Sequence, residues 1–144
     1  MFLNYAIKKI LLFPLFSFVL LTSVVSAEVQ TLQSRISADT DDAEERVNGS
    51  MYLGSSDLEL VFDKDLQTVG IRFTNLAIPE NAVITKAYIQ IKVDEISTES
   101  VQLTIQDEKT DNAATFSTAK YNISSRTKTN ASVSWSPVAW STVG

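Results

Sequence analysis

Hydrophobic and polar residues alternate with a period of two over much of the chain after residue 28. The clearest runs, in which apolar side chains take every second position, are residues 69–73, 87–93 and 101–106. Residues 58–62 give a fourth run, which Val61 interrupts on the opposite face. Successive side chains of a β-strand point to opposite faces of a sheet, so this alternation predicts half-buried strands. Valine and isoleucine are frequent at the apolar positions, and their branched side chains favour strands. A weaker first strand is predicted over residues 29–36.

Short polar segments separate the predicted strands. Asn48-Gly49-Ser50, Asp63-Lys64-Asp65 and Ile78-Pro79-Glu80-Asn81 are rich in residue types that favour turns. The second of these links two alternating runs and predicts a hairpin. The longest helix-like alternative is residues 40–47, which have acidic side chains where a first helical turn would lie. Strands at short intervals with polar turns predict an all-β fold, an antiparallel β-sandwich of jelly-roll type.

The segment from residue 110 to residue 142 differs in composition from the rest. Serine and threonine are abundant there, and its large side chains are Phe116, Tyr121, Trp135 and Trp140. We expect a long, partly ordered loop that wraps the sandwich.

Residues 1–27 have the three parts of a secretory signal peptide. Lys8 and Lys9 provide the positive charge, residues 10–25 are apolar apart from small hydroxyl residues, and Val25-Ser26-Ala27 fits a cleavage site. We expect a signal-peptide helix that is cleaved before Glu28, which leaves residues 28–144 as one domain that is secreted, periplasmic or at the cell surface. The alternative is a permanent anchor, but the apolar run is shorter than the roughly 20 residues of a membrane span and Pro14 interrupts it.

The composition narrows the classes of function. The chain has 12 Lys and Arg, 17 Asp and Glu, no His and no Cys, which gives a net charge of −5. Loss of the leader removes Lys8 and Lys9 and no acid, so the net charge becomes −7. Thiolate and imidazole chemistry, disulfides and a Ser-His-Asp triad are excluded, and the negative charge disfavours nucleic acids as partners. We expect no enzymatic activity.

Three segments have counterparts in a known group of secreted proteins. They are NLAIPENAVITKAYIQI at residues 75–91, SADTDDAEE at residues 37–45, and Ser132-Val133-Ser134-Trp135 followed by Trp140. Together these segments resemble the secreted bacterial jelly-roll modules that include, or are close to, the DNRLRE-type carbohydrate-binding modules. The resemblance covers most of residues 31–143. It implies a jelly-roll sandwich that binds a surface or extracellular polysaccharide.

Two features depart from that family. The DNRLRE signature does not occur, and the chain ends at Gly144, where such modules have further strands. The sequence therefore leads us to expect an incomplete sandwich, truncated at its C-terminus or belonging to a longer polypeptide.

The densest charge cluster comprises Asp39, Asp41, Asp42, Glu44 and Glu45. A hard cation such as Ca²⁺ binds several carboxylate and carbonyl oxygens at once, so Asp39, Asp41 and Asp42 are candidate ligands of a structural Ca²⁺ ion. The alternative is a solvated acidic loop that keeps the protein soluble.

The aromatic residues near the C-terminus are the candidate ligand-binding groups. Exposed aromatic rings stack on the apolar faces of sugars, and Trp140, Tyr121 and Trp135 are the candidates for this role. For Trp135 the alternative is a position in the core, because it belongs to the alternating run with Val133. The sequence thus favours an exported, non-catalytic module that binds glycans by stacking. The alternative function is a structural spacer or adhesion domain of a larger cell-surface protein, with no ligand pocket.

Overall fold

The described part of the chain, residues 28–144, contains six β-strands and no helix in the computed structural model. The strands are β1 (Asp42–Arg46), β2 (Met51–Tyr52), β3 (Phe62–Asp63), β4 (Asp65–Ile71), β5 (Leu103–Glu108) and β6 (Lys128–Trp135). All pairs are antiparallel, which confirms the predicted all-β class. Residues 28–144 therefore include no helix that could span a membrane. The predicted signal peptide lies outside the described residues.

The first four strands form one sheet in the order β2-β1-β4-β3. The predicted hairpin at Asp63-Lys64-Asp65 is confirmed, since β3 and β4 pair directly across it. Lys64 takes a left-handed conformation with φ of 60°, as a very tight connection requires.

The helix-like alternative over residues 40–47 is wrong, because this segment contains strand β1. β1 lies between β2 and β4 and bonds to both, with Glu44 opposite Tyr52 on one side and Val69 on the other. The turn at Asn48-Gly49 returns the chain into β2, and Gly49 has a φ of +80° that suits glycine. Ala43, Glu44 and Glu45 are all buried, so both faces of β1 are covered and its sequence shows no alternation.

The second sheet consists of β5 and β6. Leu103 lies opposite Trp135 and Ile105 opposite Val133, and the register shifts between Gln106 and Glu108. β6 is the longest strand of the described chain, with 8 residues, although residues 110–142 were expected to form a loop. The alternating Val133 and Trp135 find a matching apolar row on β5, and this pairing makes the segment a strand.

Three other predicted strands do not form as expected. Residues 29–36 and 87–93 belong to no sheet, and of residues 58–62 only Phe62 is in a strand. Alternation gives a segment two different faces, but a strand in a sheet also needs a neighbour for its backbone N–H and C=O groups. No described segment takes that position beside residues 87–93.

The small core lies between the first sheet and the segment that precedes β6. Ala43, Phe116 and Ile123 are buried together, with Met51 and Leu53 packed against them. Backbone hydrogen bonds attach this segment to the sheet, from the N–H of Phe116 to the carbonyl of Thr40 (2.8 Å) and from the N–H of Tyr121 to the carbonyl of Gly49 (2.9 Å). These bonds place Tyr121 beside the β1–β2 turn.

Candidate functional site

The structure brings Trp135 and Trp140 together. Trp135 is the last residue of β6, and Pro137 lies between the two tryptophans in the chain. Trp140 is fixed by a two-way backbone bridge to Ser97, with N···O distances of 2.7 and 2.9 Å. The ring centroids are 6.4 Å apart and the ring planes are inclined by 43°. This is a favourable separation for an aromatic pair.

Both rings of this tryptophan pair are half-buried. Trp135 lies directly opposite buried Leu103 in the β5–β6 ladder. Each tryptophan is therefore partly buried, as a core position would require, and partly exposed, as stacking on a sugar would require. A half-buried ring is held in place by the protein and still presents surface to a ligand.

Tyr121, the third candidate aromatic residue, lies elsewhere. Among residues 28–144 the one aromatic pair is that of the two tryptophans, and Tyr121 is not part of it. Its side chain is 47% exposed and its ring lies against Gly49, where a Cβ atom would stand 2.5 Å from the ring atom Cζ. The ring borders a depression of about 250 Å³ that is also lined by Glu45, Thr68 and Ser124.

The depression beside Tyr121 adds hydroxyl groups to an aromatic surface, which sequence reasoning had not identified. Thr68 comes from β4 and Ser124 from the turn that follows Tyr121, so the chain pattern gives no hint that they meet. A second, wider depression of about 480 Å³ lies beside residues 72–78 and 111–113 and contains none of the predicted site residues.

The acidic cluster has a largely structural role. Asp41 is 6% exposed and its Oδ1 accepts a hydrogen bond from the guanidinium of Arg72, which also donates to the carbonyl of Ala113. Glu44 and Glu45 are each 4% exposed. The cluster is therefore not a solvated loop throughout, because three of its five carboxylates are buried.

Within residues 28–144, no three His, Cys, Asp or Glu side chains come together as a group that could hold a metal ion. Burial, and next the charge of Asp39, raises the pKa of Asp42. The Ca²⁺ site at Asp39, Asp41 and Asp42 stays a prediction. Calorimetric titration of an EDTA-treated sample with Ca²⁺ tests it, and an ion that binds the native state must also raise the melting temperature.

Glu44 of β1 forms a second polar group together with Glu59 and Gln67. Oε1 of Glu44 accepts a hydrogen bond from the backbone N–H of Glu59 (3.0 Å), and Nε2 of Gln67 donates to the carbonyl of Glu59 (2.7 Å). Burial, followed by a hydrogen bond with the Glu59 side chain, raises the pKa of Glu44 to about 7. Oε1 of Gln67 is buried and has no hydrogen-bond partner in the described chain.

One sequence signal could have identified this buried polar group. Gln67 continues the row of Val69 and Ile71, so a polar side chain stands where the alternation places an apolar one. In chemical terms the group offers a carboxyl that exchanges its proton near neutral pH.

Comparison with known proteins leaves the family open. The chain matches no protein-family model, and comparison with curated proteins and with solved structures gives no significant match. The resemblance to carbohydrate-binding modules therefore stays a prediction.

Proposed function

We propose that this protein is an exported, non-catalytic module that binds a glycan by stacking sugar rings on Trp135 and Trp140. The observation that carries the proposal is the tryptophan pair, with centroids 6.4 Å apart and both rings half-buried. Aromatic pairs that remain accessible on a small domain are typical of interaction sites.

The chemical groups at and beside the tryptophan pair are of the kinds that bind carbohydrates. Sugar rings have apolar faces of C–H groups and a rim of hydroxyls, so a ligand stacks on an aromatic plane and needs polar groups beside it. Ser136 and Ser141 flank the two tryptophans in the chain and are exposed. Residues 28–144 carry 10 basic and 17 acidic side chains, so a neutral glycan is favoured over an acidic one.

The depression beside Tyr121 provides a second contact for an extended polysaccharide. Its exposed aromatic ring and the nearby hydroxyl residues Thr68 and Ser124 combine the two kinds of group that sugar binding uses. We assign to it a secondary role, because one ring offers less stacking surface than two.

The fold assigned to this module is a jelly-roll β-sandwich, on the resemblance of residues 75–91 and 37–45 and on the two antiparallel sheets of the described chain. Export rests on the leader sequence over residues 1–27. The site requires neither a cofactor nor a catalytic residue.

Glycan-array screening followed by titration tests the proposal. The chain contains 2 tryptophans, so intrinsic tryptophan fluorescence reports directly on the proposed site. We expect saturable binding of at least one neutral glycan, with a change in the emission spectrum. Trp140→Ala should abolish the binding, Tyr121→Ala should weaken it, and Tyr52→Ala, which removes a half-exposed ring elsewhere, should leave it unchanged. No binding of any array glycan at micromolar protein would refute the proposal.

A second candidate function is that of a structural or adhesion domain without a ligand pocket. The observation that favours it is the long apolar segment after Ile78. This segment is exposed and joins no sheet. Such a segment is suited to contacts with protein rather than with sugar.

A further inference from the structure

The segment from Val83 to Asp94 resembles a β-strand without a neighbour. It runs without turn, bend or helix, and from Val83 to Lys92 no backbone group bonds to another backbone group of the described chain. Its large side chains are exposed, with Val83 at 86%, Tyr88 at 69% and Ile89 at 42%. Unpaired strand backbone of this kind is a template for pairing with another chain.

The two faces of this segment differ in character. Odd-numbered positions 87–93 hold Ala87, Ile89, Ile91 and Val93, while even-numbered positions hold polar and charged side chains and Tyr88. Ile89 and Ile91 are less exposed than Tyr88, at 42% and 41% against 69%, so the isoleucines of the apolar row are more protected from solvent than the tyrosine of the other row. A partner strand must preserve this alternation, which excludes any register that sets the apolar row opposite the polar one.

We propose that two copies of this chain associate by antiparallel pairing of this segment about a two-fold axis at Gln90. In that register Lys86 of one copy lies opposite Asp94 of the other, and Tyr88 lies opposite Lys92. Each contact occurs twice because of the symmetry. The first is an ion pair and the second a cation–π contact, a type already seen within one chain, where Lys86 Nζ is 5.4 Å from the Tyr88 ring centroid.

The same register also matches the apolar faces. Ala87 pairs with Val93 and Ile89 pairs with Ile91, so the two apolar rows become one continuous face. Within the described residues, neither Lys86 nor Asp94 takes part in a salt bridge of its own chain, and both are exposed. The charges are therefore available to a second copy.

Other registers lose this complementarity. An axis at Ile89 sets Lys86 opposite Lys92, and like charges directly opposite each other destabilise a sheet. An axis at Ile91 sets Ala87 opposite Glu95 and gives neither lysine an acidic partner. Parallel in-register pairing sets each lysine opposite its own copy. Of these arrangements, only the one centred on Gln90 pairs the charges and preserves the apolar face.

Among residues 28–144, one edge of the segment is partly occupied, and the other has no backbone partner. The carbonyl of Val93 accepts a hydrogen bond from the N–H of Gly144 (3.0 Å), so odd-numbered backbone groups face the C-terminal residues. Even-numbered groups of a strand point the other way. Pairing through that open edge makes Gln90 hydrogen-bond to Gln90 of the second copy, with a Cα···Cα distance of about 5.5 Å. Because each copy offers one such edge and the two-fold pairing uses it on both copies, the assembly stops at a dimer.

Because the chain has no cysteine, single-cysteine variants test this register directly. In the protein expressed from its full-length sequence, Gln90→Cys should give a disulfide-linked dimer under mild oxidation, since about 5.5 Å lies within disulfide range. Thr85→Cys is the matched control on the same segment. The register places it about 33 Å from its copy, at 3.3 Å per residue, so it should stay monomeric.

Charge reversal provides a second test. Restoration of the dimer by a second, compensating charge reversal could not result from a loss of folding. We expect analytical ultracentrifugation to show that the native chain forms a dimer as its concentration is raised to about 100 μM, which corresponds to a weak complex. Lys86→Glu should weaken the dimer about tenfold, and adding Asp94→Lys should restore it. Equal cross-linking of the two cysteine variants, a monomeric native chain or no rescue by the double variant would each overturn the proposal. None of these measurements depends on glycan binding.

Discussion

The buried carboxylate of Glu45 accepts a hydrogen bond of 2.7 Å from the backbone N–H of Ile123, which lies 78 residues further along the chain. The same oxygen atom, Oε2, also accepts the N–H of Ser124 at 2.8 Å. This carboxylate therefore joins β1, one of the two inner strands of the first sheet, to the turn that contributes Ile123 to the core. Tyr121 lies in the same turn, and its own N–H bonds to the carbonyl of Gly49.

Removal of the Glu45 carboxylate should destabilise the fold. Glu45→Ala leaves two N–H groups without an acceptor, and we expect it to lower the free energy of unfolding by about 2–4 kcal/mol. Glu45→Gln should cost less, about 1 kcal/mol, because an amide oxygen still accepts both bonds without the charge. Urea denaturation measures both losses. Glu99→Ala, at an exposed glutamate, is the control, and an equal effect of the two alanine variants would contradict a structural role for Glu45.

Gly70 should not tolerate a side chain. A Cβ atom at Gly70 would stand 2.6 Å from Cζ of Phe116 and 3.0 Å from Cδ1 of Ile123. We expect Gly70→Ala to cost about 1–3 kcal/mol of stability through overpacking. Gly54→Ala is the matched control, since a Cβ there meets nothing within 4 Å. Thermal unfolding of the two variants should differ clearly, and equal melting temperatures would contradict the packing described for the core.

Arg126 should not be replaceable by lysine. Its guanidinium donates to the carbonyls of Asn122, Ala114 and Thr115 and to Glu108, and it lies 4.5 Å from the ring centroid of Phe116. A lysine ammonium has one nitrogen and cannot reach these acceptors together.

We expect Arg126→Lys to cost about 2–3 kcal/mol in chemical denaturation. The exposed Arg35 provides the control, because Arg35→Lys should leave the midpoint within error. A similar shift in both variants would show that the bonds of Arg126 contribute nothing specific.

Stability should fall as the pH rises from about 5 to about 8. The pKa of Glu44 is raised from 4.5 to about 7 in the folded chain, so the native state holds a proton that the unfolded chain has already lost. The stabilisation is complete below the unfolded pKa and is lost as the pH passes the folded one. Its upper limit is about 3 kcal/mol, at roughly 1.4 kcal/mol per pH unit between the two values.

Glu44→Gln isolates this effect, because glutamine keeps the acceptor for the Glu59 N–H and cannot titrate. The melting temperature of the variant should depend less on pH over this range than that of the native chain. If both chains show the same pH dependence, the titrating group lies elsewhere.

Local features, which depend on neighbouring residues in the chain, could be predicted from the sequence. The alternation over residues 69–73 and 101–106 and the turn at Asp63-Lys64-Asp65 correspond to parts of β4, β5 and the β3–β4 hairpin. Side-chain period and turn conformation are properties of a few consecutive residues, so a pattern in the sequence can show them. The sequence also identified Trp135 and Trp140 as candidate ligand-binding residues, but it could not show the distance between their rings.

Features that depend on partners distant in the sequence became visible only in the folded chain. Residues 42–46 became a central strand because β2 and β4 bond to both of its edges, although its sequence is acidic and does not alternate. Residues 87–93 alternate without interruption and still belong to no sheet of the described chain. Burial of Glu45 became favourable only through backbone donors 78 and 79 residues away. A buried charge or a strand edge is stable only when its hydrogen bonds are satisfied, and which segments satisfy them is settled by the folded chain as a whole.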